Sequence, residues 1–184
     1  MIVGITGTNG AGKGTVVDYL VEQRGFAHYS VREFLIEEIE RRGLPVDRSA
    51  MRDVANELRR EHGPAYVVQT LFERAKAAGK DAVIESIRAV GEAEFLQSVG
   101  AKIVAVDADK PIRYDRAITR GSHTDKVTFE EFVLQEDREM AGTEPWDMNI
   151  NGVMQMADIR IENNGSLEKL HQQIENLFAH GKFD

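Results

Sequence analysis

The stretch GTNGAGKGT, residues 7–15, constrains this chain more than any other, because it sets four glycines around one lysine between an apolar run and an amphipathic one. The preceding MIVGIT is short and apolar, as a buried strand is, and Val16, Val17, Leu20 and Val21 then recur at helical spacing. The glycines therefore join a strand to the start of a helix. Glycine lets successive backbone N–H groups converge without Cβ clashes. Those N–H groups, the positive end of the helix and the Lys13 ammonium together make a pocket for a polyphosphate anion. The candidate phosphate-binding set is Gly7, Asn9, Gly10, Ala11, Gly12, Lys13, Gly14 and Thr15.

The general pattern is Gly, four residues, Gly-Lys and then Ser or Thr. Gly7, Gly12 and Lys13 fit it, but Gly14 follows the lysine and the hydroxyl arrives one place later, at Thr15. An ordinary strand-to-helix turn with a surface lysine is the competing explanation. Spacing, flanking strand and following helix argue together against it.

A length of 184 residues with 42% hydrophobic content suits one domain with a full core. The chain has no cysteine, which excludes disulfides and thiolate metal sites, and its five histidines are scattered without metal-ligand spacing. No apolar run approaches the ~20 residues of a membrane span, and the chain opens directly into the first strand, so a cytoplasmic protein is expected. A net charge of −8 argues against broad nucleic-acid or anionic-membrane binding. Any anion site must then be a local cluster of cations.

Periodicity predicts alternating strands and helices. Strands are expected at 2–6, near FAHYS, and in DAVIES, AKIVAVD and ADIRIEN. Helices are expected from about residue 13 and in VREFLIEEIERRG, MRDVANELRREHG, PAYVVQTLFERAKAAG, VGEAEFLQSVG and SLEKLHQQIENLF. The predicted fold class is a three-layer α/β domain, with a five-stranded parallel sheet and helices on both faces. Residues 31–79 form the one long helical stretch without a strand, a candidate substrate-binding insertion. In an open parallel sheet ligands bind beyond the carboxyl ends of the strands, which points to Ser30, Glu85 and Asp107.

Glu85 closes the AVIE strand, where a carboxylate can orient water on a magnesium ion; Thr15 and Glu85, the latter through water, are the candidate metal contacts. Arg88 follows three residues later and is expected to face the same cleft, against the alternative of pairing with Glu92 or Glu94. Arg113, Arg116 and Arg120 share one helix face at spacings of three and four. Arg138 follows in a helix opened by the capping box Thr128-x-x-Glu131. Phosphoryl transfer needs such cations around the moving group. The bland alternative is a solvated face paired with Asp109, Asp115 and Glu139. A lid is expected at about 120–127, around GSHTDK.

GTNGAGKGT, the second strand closing on HYS, IESIR, RAITRGSHTD and ADIRIENNGSLEKL together resemble nucleoside monophosphate kinases, adenylate kinase among them, and dephospho-CoA kinases, over nearly the whole chain. The resemblance implies ATP and Mg2+ as cofactors and the γ-phosphoryl group as cargo. It assigns Lys13, Glu85, Arg116, Arg120 and Arg138 to catalysis, and Ser30, Arg32, Glu33 and Arg88 to the acceptor. The chain departs from adenylate kinases by reading SVRE and ESIR at the acceptor motifs and by carrying Ile36 where an arginine is usual. A small-molecule nucleotide acceptor, foremost a nucleoside monophosphate, is the expected substrate. Dephospho-CoA kinase-like activity, with Glu33 as the base, and a slow ATPase acting as a switch or assembly factor are the alternatives.

Overall fold

The computed structural model of the protein describes residues 1–121 and 127–183. Five strands form one sheet: β1 (Ile2–Gly7), β2 (Ala27–Ser30), β3 (Ala82–Glu85), β4 (Lys102–Asp107) and β5 (Ile159–Glu162). Their order is β2-β3-β1-β4-β5, and every neighbouring pair is parallel. The predicted three-layer α/β architecture is the one observed. Helices α1 (Lys13–Arg24), α2 (Val31–Arg41), α3 (Arg48–His62), α4 (Tyr66–Ala78), α5 (Val90–Ser98), α6 (Lys110–Arg120), α7 (Phe129–Met140), α8 (Ile150–Met156) and α9 (Leu167–Ala179) connect and cover the strands.

Alternation along the strands divides the core in two. On one face Val3, Ile5, Val83, Val104 and Val106 pack with Val16 and Leu20 of α1 and Leu170 and Ile174 of α9. On the other, Ile84, Ile87 and Ile103 pack with α2, α3, α4 and α5 through Leu35, Val54, Leu71 and Leu96. Gly4 sits between Val3 and Ile5 because a Cβ there would stand 2.7 Å from Leu96 Cδ1. That close approach seats α5 on the central strand.

Residues 31–79 contain α2, α3 and α4 with no strand among them. Of these, α4 buries Val67, Val68, Leu71 and Phe72 in the sheet-facing core, so the last helix of the stretch is also a structural crossover. One helix escaped the periodicity. α8 has seven residues, too few for an amphipathic repeat to register, and it is capped by Asn149, whose side chain accepts from Gly152 N at 2.8 Å. The sheet order changes direction around β1, which lies between β3 and β4. Residues 7–15 thus leave the sheet at its topological switch point.

Candidate active site

Three of the four glycines in GTNGAGKGT have positive φ: Gly7 (140°), Gly10 (77°) and Gly12 (96°). Each is also pressed against structure. A Cβ would stand 2.0 Å from the Val106 carbonyl oxygen at Gly7, 2.2 Å from the Arg113 carbonyl oxygen at Gly10, and 2.3 Å from Asn163 Nδ2 at Gly12. Gly14 and Thr15 fall inside the first turn of α1, where a Cβ at Gly14 meets nothing within 4 Å. The loop is held from behind by Asn163, which spacing did not reveal, and by Asp107, one of the strand-end candidates. Asn163 Nδ2 donates to Ala11 O at 2.9 Å, and Thr8 Oγ1 donates to Asp107 Oδ1 at 2.6 Å.

Lys13 Nζ arches over this loop and donates to Gly7 O (3.0 Å) and Thr8 O (2.8 Å). Part of its side chain stays accessible, but the ammonium lies in the cleft. Desolvation first, then the charges of Arg88 and Arg120, lower its pKa to about 7, against the opposing pull of Glu85 and Glu139. Excess positive charge around a loop of amides suits a polyanion.

Glu85 ends β3 in register with Ile5 of β1 and Ser30 of β2. Its carboxylate contacts His28 Nε2 at 3.3 Å. Burial favours its neutral form, but the His28 hydrogen bond and the charges of Lys13, His28 and Arg88 outweigh that and hold its pKa below the ordinary value. The same contact raises the pKa of His28. His28 was one of five scattered histidines in the sequence; only strand pairing brings it to Glu85. Ser86, next in the chain, has φ 75°, the sole positive φ outside glycine among the described residues. Such strain persists where surroundings over-determine it, and it concentrates at functional sites.

These groups open into one cavity of about 360 Å³. Asn9 and Lys13 line its loop end, Glu85, Ser86 and Arg88 its strand end, and Arg120 and Glu139 its α6–α7 side. Val31, Arg32 and Leu35 of α2, Met51, Arg52 and Arg59 of α3, and Met148 complete the wall. Arg32 makes no hydrogen bond or ion pair among the described residues. Arg52, Arg59 and Met148 escaped the sequence reading because only the folded insertion and the α7–α8 connection turn them inward.

The remaining candidates go elsewhere. Ser30 is buried and its hydroxyl accepts from Glu33 N at 3.2 Å as the N-cap of α2, and neither Ser30 nor Glu33 lines the cavity. Arg116 NH1 donates to Asn163 O at 2.9 Å, and Arg138 is exposed; both lie outside the cavity wall. Arg120 reaches Asn9 Oδ1 at 3.3 Å. The charge pairing differs from the sequence expectation. Arg88 pairs with Glu139 at 2.5 Å, not with Glu92 or Glu94. Arg113 is buried against Glu136, not Asp109, Asp115 or Glu139, and its NH1 also reaches Asn9 O at 3.3 Å. Residues 122–126, the centre of the expected lid, lie outside the described residues.

Comparison with known proteins defines the class first. The family model of the AAA domain matches residues 3–142, so the chain belongs to that family, and its fold is one that P-loop kinases share. Shikimate kinase from Acinetobacter baumannii, in complex with shikimate, superposes with a TM-score of 0.62 at 17% identity, covering 100% of this chain and 95% of its own. TT1252 from Thermus thermophilus gives 0.61 at 24% identity, covering 98% and 97%. Within that class the chain belongs to the UPF0200 family. It is 32% identical to a UPF0200 protein of Thermococcus kodakarensis, over 96% of both chains, and 31% identical to one of Pyrobaculum aerophilum, over 94% of both.

Proposed function

We propose that the chain is an ATP-dependent kinase that transfers the γ-phosphoryl group to a nucleotide-like acceptor, foremost a nucleoside monophosphate, in the manner of the nucleoside monophosphate kinases it resembles. One observation carries the reading: a single cavity is walled at one end by the phosphate loop and at the other by arginines and apolar side chains of α2 and α3. Donor and acceptor ends therefore share one space.

In this reading the loop amides and Lys13 hold the β- and γ-phosphates of ATP. Arg88 and Arg32 grip the acceptor phosphate, while Leu35, Met51 and Met148 offer an apolar wall to its base. An anionic acceptor oxygen forms the new bond to phosphorus, the bond to the bridging oxygen breaks, and ADP leaves with that electron pair. Such an acceptor needs no general base. Arg120, beside Asn9, neutralises charge on the moving group. Magnesium, when bound with ATP, shields the phosphate oxygens. Glu85, in the cavity wall, would suit it as an outer carboxylate acting through water; Thr15, in the first turn of α1 and outside that wall, would be a second oxygen donor. No group of three or more His, Cys, Asp or Glu side chains is poised for a metal among the described residues.

Among the alternatives, a hydroxyl acceptor such as dephospho-CoA needs a carboxylate base, and the glutamates in the cavity wall are Glu85 and Glu139, not Glu33. A slow ATPase switch needs the nucleotide end alone. The test is ADP release across a panel of nucleoside monophosphates, dephospho-CoA and shikimate. Release stimulated by a monophosphate supports the proposal; stimulation by a hydroxyl acceptor alone, or hydrolysis indifferent to the whole panel, refutes it.

A further inference from the structure

Arg59 and Glu92 form an ion pair that none of the steps above uses. Arg59 belongs to α3 and borders the cavity, Glu92 sits in the first turn of α5, and their side chains are 1% and 0% exposed. Glu92 Oε1 accepts from Arg59 Nε at 2.9 Å and lies 2.8 Å from its NH2 in the ion pair. Its Oε2 accepts from the backbone N–H groups of Arg88 at 3.0 Å and Ala89 at 3.1 Å. One carboxylate thus joins a helix of the insertion to the turn that follows β3.

The joint belongs to a closed ring of contacts. Arg59 NH1 donates to Asn56 Oδ1 at 3.4 Å, and Asn56 Nδ2 donates to Asp147 Oδ1 at 3.3 Å. Two residues on, Asn149 N donates back to Arg88 O at 2.8 Å. Arg60, beside Arg59, stacks its guanidinium over Trp146 at 5.2 Å. The turn being restrained is the one with the strained Ser86, a conformation that demands over-determination by its neighbours. A buried ion pair is poorly explained by stability, since apolar residues of similar volume often serve as well or better. A pair that fixes two walls of one cavity to each other has a geometric explanation instead.

We propose that Glu92 is a positioning residue for the acceptor: through Arg59 and the Arg88 amide it fixes α3 relative to the Glu85–Arg88 turn, which sets the width of the acceptor end. The inference rests on the reading that this cavity takes the acceptor. The phosphate loop itself stands outside the ring, so the ATP end is expected to respond less than the acceptor end.

Glu92→Gln strands the Arg59 charge in the interior and is apt to unfold the chain. The double variant Arg59→Met/Glu92→Gln removes both charges together and keeps the test open. AMP serves as the acceptor probe, and Trp146, the single tryptophan, reports on α3 through acrylamide quenching. The expected result for the double variant is ATP affinity within about twofold of the unaltered protein, AMP affinity weaker by about tenfold or more, and greater quenching of Trp146 without ligand. Unchanged AMP affinity, or ATP affinity falling in parallel, overturns the proposal. If the unaltered protein binds no AMP, that result counts against the monophosphate reading, and the ligand-free quenching decides this one: an increase supports the joint, no change overturns it.

Discussion

Lys13 is an ammonium desolvated by burial, with the charges of Arg88 and Arg120 added to that, and its behaviour with pH follows. In the free protein its pKa lies at about 7, so the charge is lost as pH rises through that value. A bound polyphosphate restores the charged form. Above pH 7, ATP binding must therefore take up a proton, and affinity must decline with rising pH until the bound-state pKa is passed. Calorimetry at about pH 8 in two buffers of different ionisation heat measures the uptake; none at all would contradict the assignment. Lys13→Met should lose about 10²–10³-fold in turnover. Its melting temperature at neutral pH should be equal or higher, because a lysine whose folded pKa is depressed disfavours the charged folded state. The glycines offer a second contrast. Gly10→Ala meets the Arg113 carbonyl at 2.2 Å with φ 77° and should destabilise the fold. Gly14→Ala meets nothing within 4 Å in a helical turn and should be neutral or stabilising by up to about 1 kcal/mol. Denaturant melts of the two variants check the order.

At the scale of elements, caps and turns carry positions that chemistry alone misassigns. Ser30 ends a strand pointing at the cleft, which makes it look like an acceptor contact, yet its hydroxyl accepts from Glu33 N at the start of α2. Ser30→Ala should cost about 1 kcal/mol of stability with little change in acceptor affinity. Equilibrium unfolding beside an acceptor titration separates the two; an acceptor effect without a stability loss would return Ser30 to the site. What was legible in the sequence follows the same logic. The phosphate loop, the strands, the Thr128–Glu131 capping box and α9 are encoded in residues close along the chain, so spacing exposes them. His28 against Glu85, Asn163 against Ala11, and Arg59 against Glu92 are 57, 152 and 33 residues apart, and no local period records such meetings. The arginine face of α6 was visible as spacing but not as destination. One helix sends Arg113 to a buried glutamate, Arg116 to a backbone carbonyl and Arg120 to Asn9.

For the whole molecule, the notable feature is a cationic cavity in a chain of net charge −8. Acidic residues elsewhere repel nonspecific polyanions, while the cavity concentrates cations from α1, α2, α3, α6 and the turn after β3. No described helix is long and apolar enough to cross a membrane. The central claim is that donor and acceptor meet in this cavity from opposite ends, and Arg88 separates the two. Measuring ATP affinity, monophosphate affinity and melting temperature for Arg88→Ala tests the claim most directly. A charged hydrogen bond to phosphate contributes roughly 1.5–3 kcal/mol, so at about pH 6, where Lys13 is charged with or without Arg88, the expected result is monophosphate affinity weaker by about one to two decades with ATP affinity nearly unchanged. A variant with a lowered melting temperature and unaltered monophosphate affinity would reduce Arg88 to the partner of Glu139 and contradict the account.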